Sequence, residues 1–263
     1  MVITLLTDFG TRDHFTGAMK GVILSLDPEA TIVDITHEIP PQDIAAAGFN
    51  LFACYKNFPH GTIHVAVVDP GVGSDRRAIL AVTDEHYFIA PDNGLLSLIF
   101  GAEPGIKVFE LNKDRFFNHP VSRTFHGRDV FAPVAGWLSK GAMPEELGDE
   151  ITDFVRFETS VPRTGENEIR GEVLHIDRFG NCITNLDEQL LQESFHLEIK
   201  GRKVSKLLKF YAEASENNEI FMIFGSTGLL EISAFRGSAA QILSANVGDE
   251  VILRVIGSLR SRY

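Results

Sequence analysis

Apolar and polar positions follow two different rhythms along this chain. Up to about residue 145, short β-branched runs at Val2–Leu6, Thr31–Ile35 and Thr62–Val68 alternate with amphipathic stretches at Gly17–Leu26 and Asp43–Phe52. A strand, helix, strand, helix, strand order predicts an α/β domain in which helices flank a mostly parallel sheet. Further strands are predicted at Ala78–Val82, Tyr87–Ile89 and Ile106–Glu110, and a helix over Asp129–Leu138 that stops at Lys140-Gly141. After the polar stretch Val161–Glu168 the rhythm shortens to strands separated by turns, at Glu172–Asp177, Phe195–Ile199, Ile220–Phe224, Leu229–Ile232 and Val251–Val255. The pattern predicts two domains, an α/β domain over residues 1–160 and a smaller all-β domain over 161–263.

Composition narrows the partners. A 263-residue chain with 44% apolar and 23% charged residues has enough material for a real core. Its formal charge of −12, from 24 Lys and Arg against 36 Asp and Glu, disfavours nucleic acid and favours a cationic ligand. Cys54 and Cys182 are the only cysteines, too few for a disulfide framework, and both read as small buried apolar residues in a reducing compartment. The opening residues Met1–Asp8 carry no basic flank or cleavage pattern, and the apolar runs fall well short of the roughly 20 residues a membrane helix needs. A cytoplasmic protein without a membrane partner is expected.

Candidate chemistry clusters where glycines follow apolar runs, the places from which a sheet presents side chains at one edge. Asp8 ends the first strand, with Gly10, Asp13 and Gly17 behind it; a carboxylate there suits two ribose hydroxyls, although Asp8 or Asp13 could equally cap the following helix. Asp69 is followed by Pro70-Gly71-Val72-Gly73, a turn that lets Arg76 come back toward it, either as a working ion pair or as a salt bridge steadying the turn. His126 stands between Phe125 and Gly127-Arg128-Asp129 at a helix start, and its ordinary pKa suits it to orient or deprotonate a water. Asp177-Arg178-Phe179-Gly180-Asn181 and Ser226-Thr227-Gly228 are polar turns between strands, which turn chemistry alone could also explain. Asn93-Gly94 reads as a strand-to-helix turn. Dinucleotide and triphosphate loops, the acyl-serine elbow and the zincin motif are all missing.

Taken together, Asp8-Phe9-Gly10, the Asp69–Gly73 turn with Arg76, Phe125–Asp129 and Asp177–Asn185 resemble the S-adenosylmethionine (SAM) hydroxide adenosyltransferases, relatives of the fluorinases and chlorinases. The resemblance spans nearly the whole chain. It implies a β-barrel-like C-terminal domain and a homotrimer with each active site between neighbouring subunits. It also implies that Asp69, Arg76 and His126 position a water or hydroxide and that Asp8 binds the ribose. Asp13, Gly127, Asp177, Phe179, Asn181 and Ser226 are the further substrate-binding positions, with no metal and no organic cofactor. The halide-using relatives carry Tyr in place of Asp69, Ser in place of Gly127 and Trp in place of Gln42. They also have a long insertion where this chain has only the few residues between Arg77 and Tyr87, so water is the expected nucleophile.

The reading that follows is hydrolysis of SAM to adenosine and methionine. Because the sulfonium leaves as a neutral thioether, no acid is needed at the leaving group, and the task is to hold an oxygen in line with the carbon–sulfur bond. Two rivals remain at this point: a metal-dependent hydrolase built on Asp8, Asp13, Asp69 and His126, and a nucleoside-binding module that turns nothing over.

Overall fold

A computed structural model describes residues 1–158, 161–190 and 195–255. The chain divides into two compact units, Met1–Thr159 and Ser160–Tyr263.

In the first unit, β1 (Val2–Thr7), β2 (Thr31–Thr36), β3 (Thr62–Val67), β4 (Ala78–Val82), β5 (His86–Pro91), β6 (Lys107–Glu110) and β7 (Asp149–Ile151) form one sheet ordered β2-β1-β3-β5-β4-β6-β7. The pairs β1/β2, β1/β3 and β3/β5 are parallel. Helices α1 (Phe15–Leu26), α2 (Ile44–Cys54), α3 (Ser97–Ala102) and α4 (Ala132–Ser139) cover the two faces. Alternation along β1 and β3 explains how both faces find partners. Ile3, Leu5, Val65 and Val67 pack with Met19, Ile23 and the Val130–Leu138 region, whereas Leu6, Ala66 and Val68 pack with Ala47, Leu51 and Ile99.

The far half of the sheet departs from the strand–helix rhythm. β4 runs antiparallel to both β5 and β6, and β6 antiparallel to β7. Only Thr83, Asp84 and Glu85 separate β4 from β5, a link long enough for a hairpin and far too short for a parallel crossover. The sequence pattern also gives no sign of β7, whose three residues include two acids and show no alternation. The predicted helix over Asp129–Leu138 is in fact a π-helical turn, Gly127–Phe131, leading into α4.

One buried polar residue in the sheet finds a partner across strands for one of its two ring nitrogens. His64 on β3 faces Thr4 on β1 in register, and its Nδ1 lies 2.8 Å from the Thr4 hydroxyl. Burial, with His86 nearby, drives its pKa down to about 3, so it is neutral in the fold.

The second unit is all β. Strands β8 (Arg163–Thr164), β9 (Glu168–Ile176), β10 (Cys182–Asp187), β11 (Phe195–Ile199), β12 (Arg202–Val204), β13 (Ile220–Phe224), β14 (Leu229–Ala234) and β15 (Glu250–Val255) pair antiparallel in the order β12-β11-β15-β9-β10-β14-β13, with β8 on β9. Leu207, just past β12, bridges Met222 on β13, so the two ends of the path meet and the sheet is a nearly closed barrel around Val173, Leu186, Met222, Ile232 and Leu253. Among the described residues, no helix is long and apolar enough to cross a membrane.

Candidate active site

The first unit places its chemistry at the carboxyl ends of its parallel strands. Thr7 and Val67 pair in register at the ends of β1 and β3, so Asp8 and Asp69 leave neighbouring strands almost side by side in the topology. Asn93, at the turn after β5, donates its amide to the Val68 carbonyl at 2.9 Å and fixes the strand end that carries Asp69. Gly73 turns the loop with φ +80°, and a Cβ there would lie 2.2 Å from the Arg123 carbonyl oxygen, so only glycine fits.

The tight turn brings Arg76 back onto Asp69. Its Nε donates to Asp69 Oδ1 at 2.9 Å, its Nη2 donates to Asp69 Oδ2, and the same Nη2 lies 2.9 Å from His126 Nδ1. The Asp69 and Arg76 side chains are only 5% and 11% exposed. A guanidinium has donors and no acceptor, so Nδ1 of His126 must accept and its proton must sit on Nε2. Burial, followed by the adjacent Arg76 charge, holds the His126 pKa below the ordinary histidine value, against an opposing pull from Asp69 and Asp129. Arg76 Nη1 also reaches the Arg77 carbonyl at 3.4 Å. Among the described residues, the N–H groups left uncommitted in this set are one on Arg76 Nη1 and the one on His126 Nε2.

Asp129 holds the backbone that carries His126. Its buried carboxylate accepts from Ser122 N at 2.8 Å, Asn118 Nδ2 at 3.2 Å and Arg128 Nε and Nη2 at 2.7 and 2.8 Å. Gly127 is buried, and a Cβ on it would press on Met19 Sδ at 3.1 Å and the Phe125 ring at 3.2 Å.

Asp8 accepts from the Gln42 backbone at 2.8 Å, and Gln42 adopts a left-handed φ of 67° to make that bond. Neither Asp8 nor Asp13 caps α1: the N-cap is His14, without a side-chain bond, and Asp13 is exposed with no hydrogen bond or ion pair among the described residues. The Asp8 loop is instead braced by buried His37. Its Nδ1 lies 2.9 Å from Thr7 Oγ1, its carbonyl accepts from Gly10 N at 2.7 Å, and its Nε2 lies 3.1 Å from Asp34 Oδ1.

The second unit contains a cavity of about 660 Å³ lined by Asp177, Phe179, Asn181 and Ser226, and also by Tyr211, Glu231 and Arg236. Asp177 folds the turn after β9 around itself, accepting from Phe179 N, Asn181 N and Asn181 Nδ2 at 2.9, 2.9 and 2.8 Å. Glu231 on β14 is 8% exposed, accepts from the Tyr211 hydroxyl at 3.0 Å and takes part in no ion pair among the described residues. Its pKa is raised by burial and then by the Asp177 charge, and the Tyr211 hydroxyl is pushed up to about 12, chiefly by burial. A Cβ at Gly225 would fall 1.7 Å from Glu231 Oε1, so glycine at that position makes room for the carboxylate.

Family models match both units: that of the SAM hydroxide adenosyltransferase N-terminal domain over residues 3–148, and that of the C-terminal domain over 171–252. The chain belongs to the SAM hydroxide adenosyltransferase family. A protein from Thermus thermophilus named (R)-S-adenosyl-L-methionine hydrolase is 37% identical over 95% of this chain and 98% of its own. One of the same name from Methanocaldococcus jannaschii is also 37% identical, over 95% and 94%. A fluorinase from Nocardia brasiliensis is 26% identical over 97% of both chains. The crystal structure of an uncharacterized conserved protein from Thermotoga maritima superposes with a TM-score of 0.89 at 33% identity, covering 97% of this chain and 100% of that one.

Against this SAM hydroxide adenosyltransferase background, the residues singled out from sequence divide clearly. Asp69, Arg76 and His126 touch one another, and Asp177, Phe179, Asn181 and Ser226 line one cavity. Asp13 shares no hydrogen bond or ion pair with Asp69, Arg76 or His126 among the described residues. Among the described residues no set of three His, Cys, Asp or Glu side chains is arranged to hold a metal ion. Sequence reasoning overlooked His37, Tyr211, Glu231 and Arg236. Glu231 left a readable signal, a lone acid between Leu230 and Ile232 in an otherwise apolar strand, which has to be explained if that strand is buried. Tyr211 left none, since its partner lies 20 positions away, and the contact that ties His37 to the Asp8 loop spans 30 positions to Thr7, although Asp34 lies only three away.

Proposed function

We propose that this chain hydrolyses SAM to adenosine and methionine by in-line attack of a water or hydroxide on the ribose C5′. The observation that carries the reading is Arg76 bound at once to Asp69 and His126. The guanidinium is fixed by the carboxylate, the imidazole is held neutral with its proton on Nε2, and two N–H groups remain to grip an oxygen with hydroxide character. Such donors stabilise charge that develops on the nucleophile and need no reorganisation during the step. Asp8, tied down by Gln42 and braced through Thr7 and His37, is the ribose-binding carboxylate. The second-unit cavity receives the rest of the substrate, its Asp177 and Glu231 carboxylates matching a ligand that carries a sulfonium. Gly127, whose Cβ side is filled by Met19 and Phe125, contributes backbone and shape rather than a side-chain contact. The reaction needs no organic cofactor or metal, and the active assembly is a homotrimer with sites between subunits, as the family resemblance implies.

The test is product analysis. Chelator-treated protein is incubated with each sulfonium epimer of SAM, with and without added chloride or fluoride, and the nucleoside is identified by mass. The relatives' names specify the (R) epimer, so adenosine is expected from that epimer in every tube. A 5′-halogenated nucleoside would overturn the choice of water, and bound ligand without product would leave a binding module.

A further inference from the structure

We infer that a cavity on the Arg76 and His126 flank of the first unit is the route by which the attacking water arrives and its proton departs. The inference rests on the hydrolase reading above. When the oxygen–C5′ bond forms and the C5′–sulfur bond breaks, its electron pair goes to sulfur, methionine leaves as a thioether, and one proton must leave the oxygen. The three residues that hold the water are poorly placed to keep that proton. Both Asp69 oxygens accept from Arg76, and His126 Nδ1 accepts from Arg76 as well. A carboxylate clasped by a guanidinium is a weak base, and Arg76 also disfavours a charged His126.

A second group of acceptors lies next to them. A cavity of about 320 Å³ is lined by Arg76 and His126 together with Asp75, Glu110, Val121 and Val130, and neither Asp8 nor Asp69 lines it. It therefore borders Arg76 and His126 without including the proposed ribose-binding carboxylate in its wall. Two of its carboxylates, Asp75 and Glu110, make no side-chain hydrogen bond or ion pair among the described residues. Glu110 is half-buried at the end of β6, where an unpaired carboxylate is free to receive a proton through intervening water and pass it to solvent. The structural role of a polar wall would be served as well by a paired acid; an unpaired one lining the same cavity as His126 is what proton traffic requires.

Two variants test this, neither in the proposed substrate-binding or water-holding set. Val121→Trp fills the cavity, and Glu110→Gln removes its half-buried unpaired acceptor while keeping the shape. Steady-state hydrolysis of (R)-SAM and calorimetric binding of adenosine are measured for each. In both, kcat is expected to fall about tenfold while adenosine affinity and thermal midpoint hold. Glu110→Asp should recover most of the rate, and added imidazole buffer should restore turnover to Glu110→Gln but not to Val121→Trp. Should Val121→Trp fail to fold, Val121→Met with the Glu110 pair carries the same test. Unchanged kcat in the Glu110→Gln and cavity-filling variants, beside an active wild type, overturns the route alone. A wild type that makes no adenosine overturns the hydrolase reading and this inference with it.

Discussion

In the first unit, Arg76 gives its N–H groups to Asp69 and His126, and the ion pair is nearly buried. In the second, among the described residues, Asp177 and Glu231 accept only from neutral groups, namely backbone N–H, the Asn181 amide and the Tyr211 hydroxyl. Arg236 lines the same cavity, yet none of the three forms an ion pair among the described residues. One polar group pairs its carboxylate with a guanidinium, and the other sets carboxyl groups without a paired cation beside an aromatic-walled cavity, among the described residues. Under the proposed function the difference matches two tasks: positioning a small nucleophile calls for committed charges and a few spare donors, whereas attracting a cation calls for charge that no protein group has cancelled.

Removing Arg76 has the largest expected effect. Arg76→Met takes away the bridge and leaves Asp69 buried without a partner, so turnover should fall about 10²- to 10³-fold. The fold should also lose about 3 kcal/mol, because stranding one member of a buried pair is costly. Steady-state kinetics and thermal unfolding check both, and adenosine affinity should hold within about threefold.

His126→Asn comes next, with an expected loss of about a hundredfold in kcat and little change in nucleoside binding. The pH profile supplies the sign. His126 has its pKa lowered in the fold, so it is neutral at pH 7, and wild-type turnover should stay level through neutrality and decline only as pH falls below the ordinary value of 6.5. The residual activity of the variant should lack that acid limb. A limb shared by both proteins would assign the titration to another group.

Glu231→Gln addresses the second unit. It keeps the shape and an acceptor for Tyr211 but removes the charge, so a sulfonium ligand should bind about tenfold more weakly, about 1.4 kcal/mol. Neutral adenosine should bind unchanged, and calorimetry with both ligands gives the ratio. The smallest effect is expected at His37. His37→Asn loosens the brace behind Asp8, raising KM about threefold at constant kcat. A fall in kcat without a change in KM would remove His37 from ribose positioning.

The parallel half of the first sheet and the Asp69, Arg76 and His126 positions were legible because a buried parallel strand reads as an apolar run and the turn at its end needs glycine. The antiparallel half was less so. Ala78–Val82 and Ile106–Glu110 look alike whether they run up or down, and only the three-residue link before His86 decides it. Asp13 was ambiguous for a related reason, since an acid ahead of a helix is written the same way whether it caps, binds or simply faces water, and of these the structure removes only capping. His37, Tyr211 and Glu231 gain their meaning from partners brought together by the barrel or the sheet, and no local spacing encodes such a meeting.

The account turns on a water-derived oxygen attacking C5′. Hydrolysis of (R)-SAM in heavy-oxygen water, with the nucleoside fragmented to locate the label, tests that directly. The label should appear in the 5′ hydroxyl of adenosine, at a rate that collapses in the Arg76 and His126 variants. Adenosine without label, or release of free adenine by cleavage at the glycosidic carbon, would contradict it.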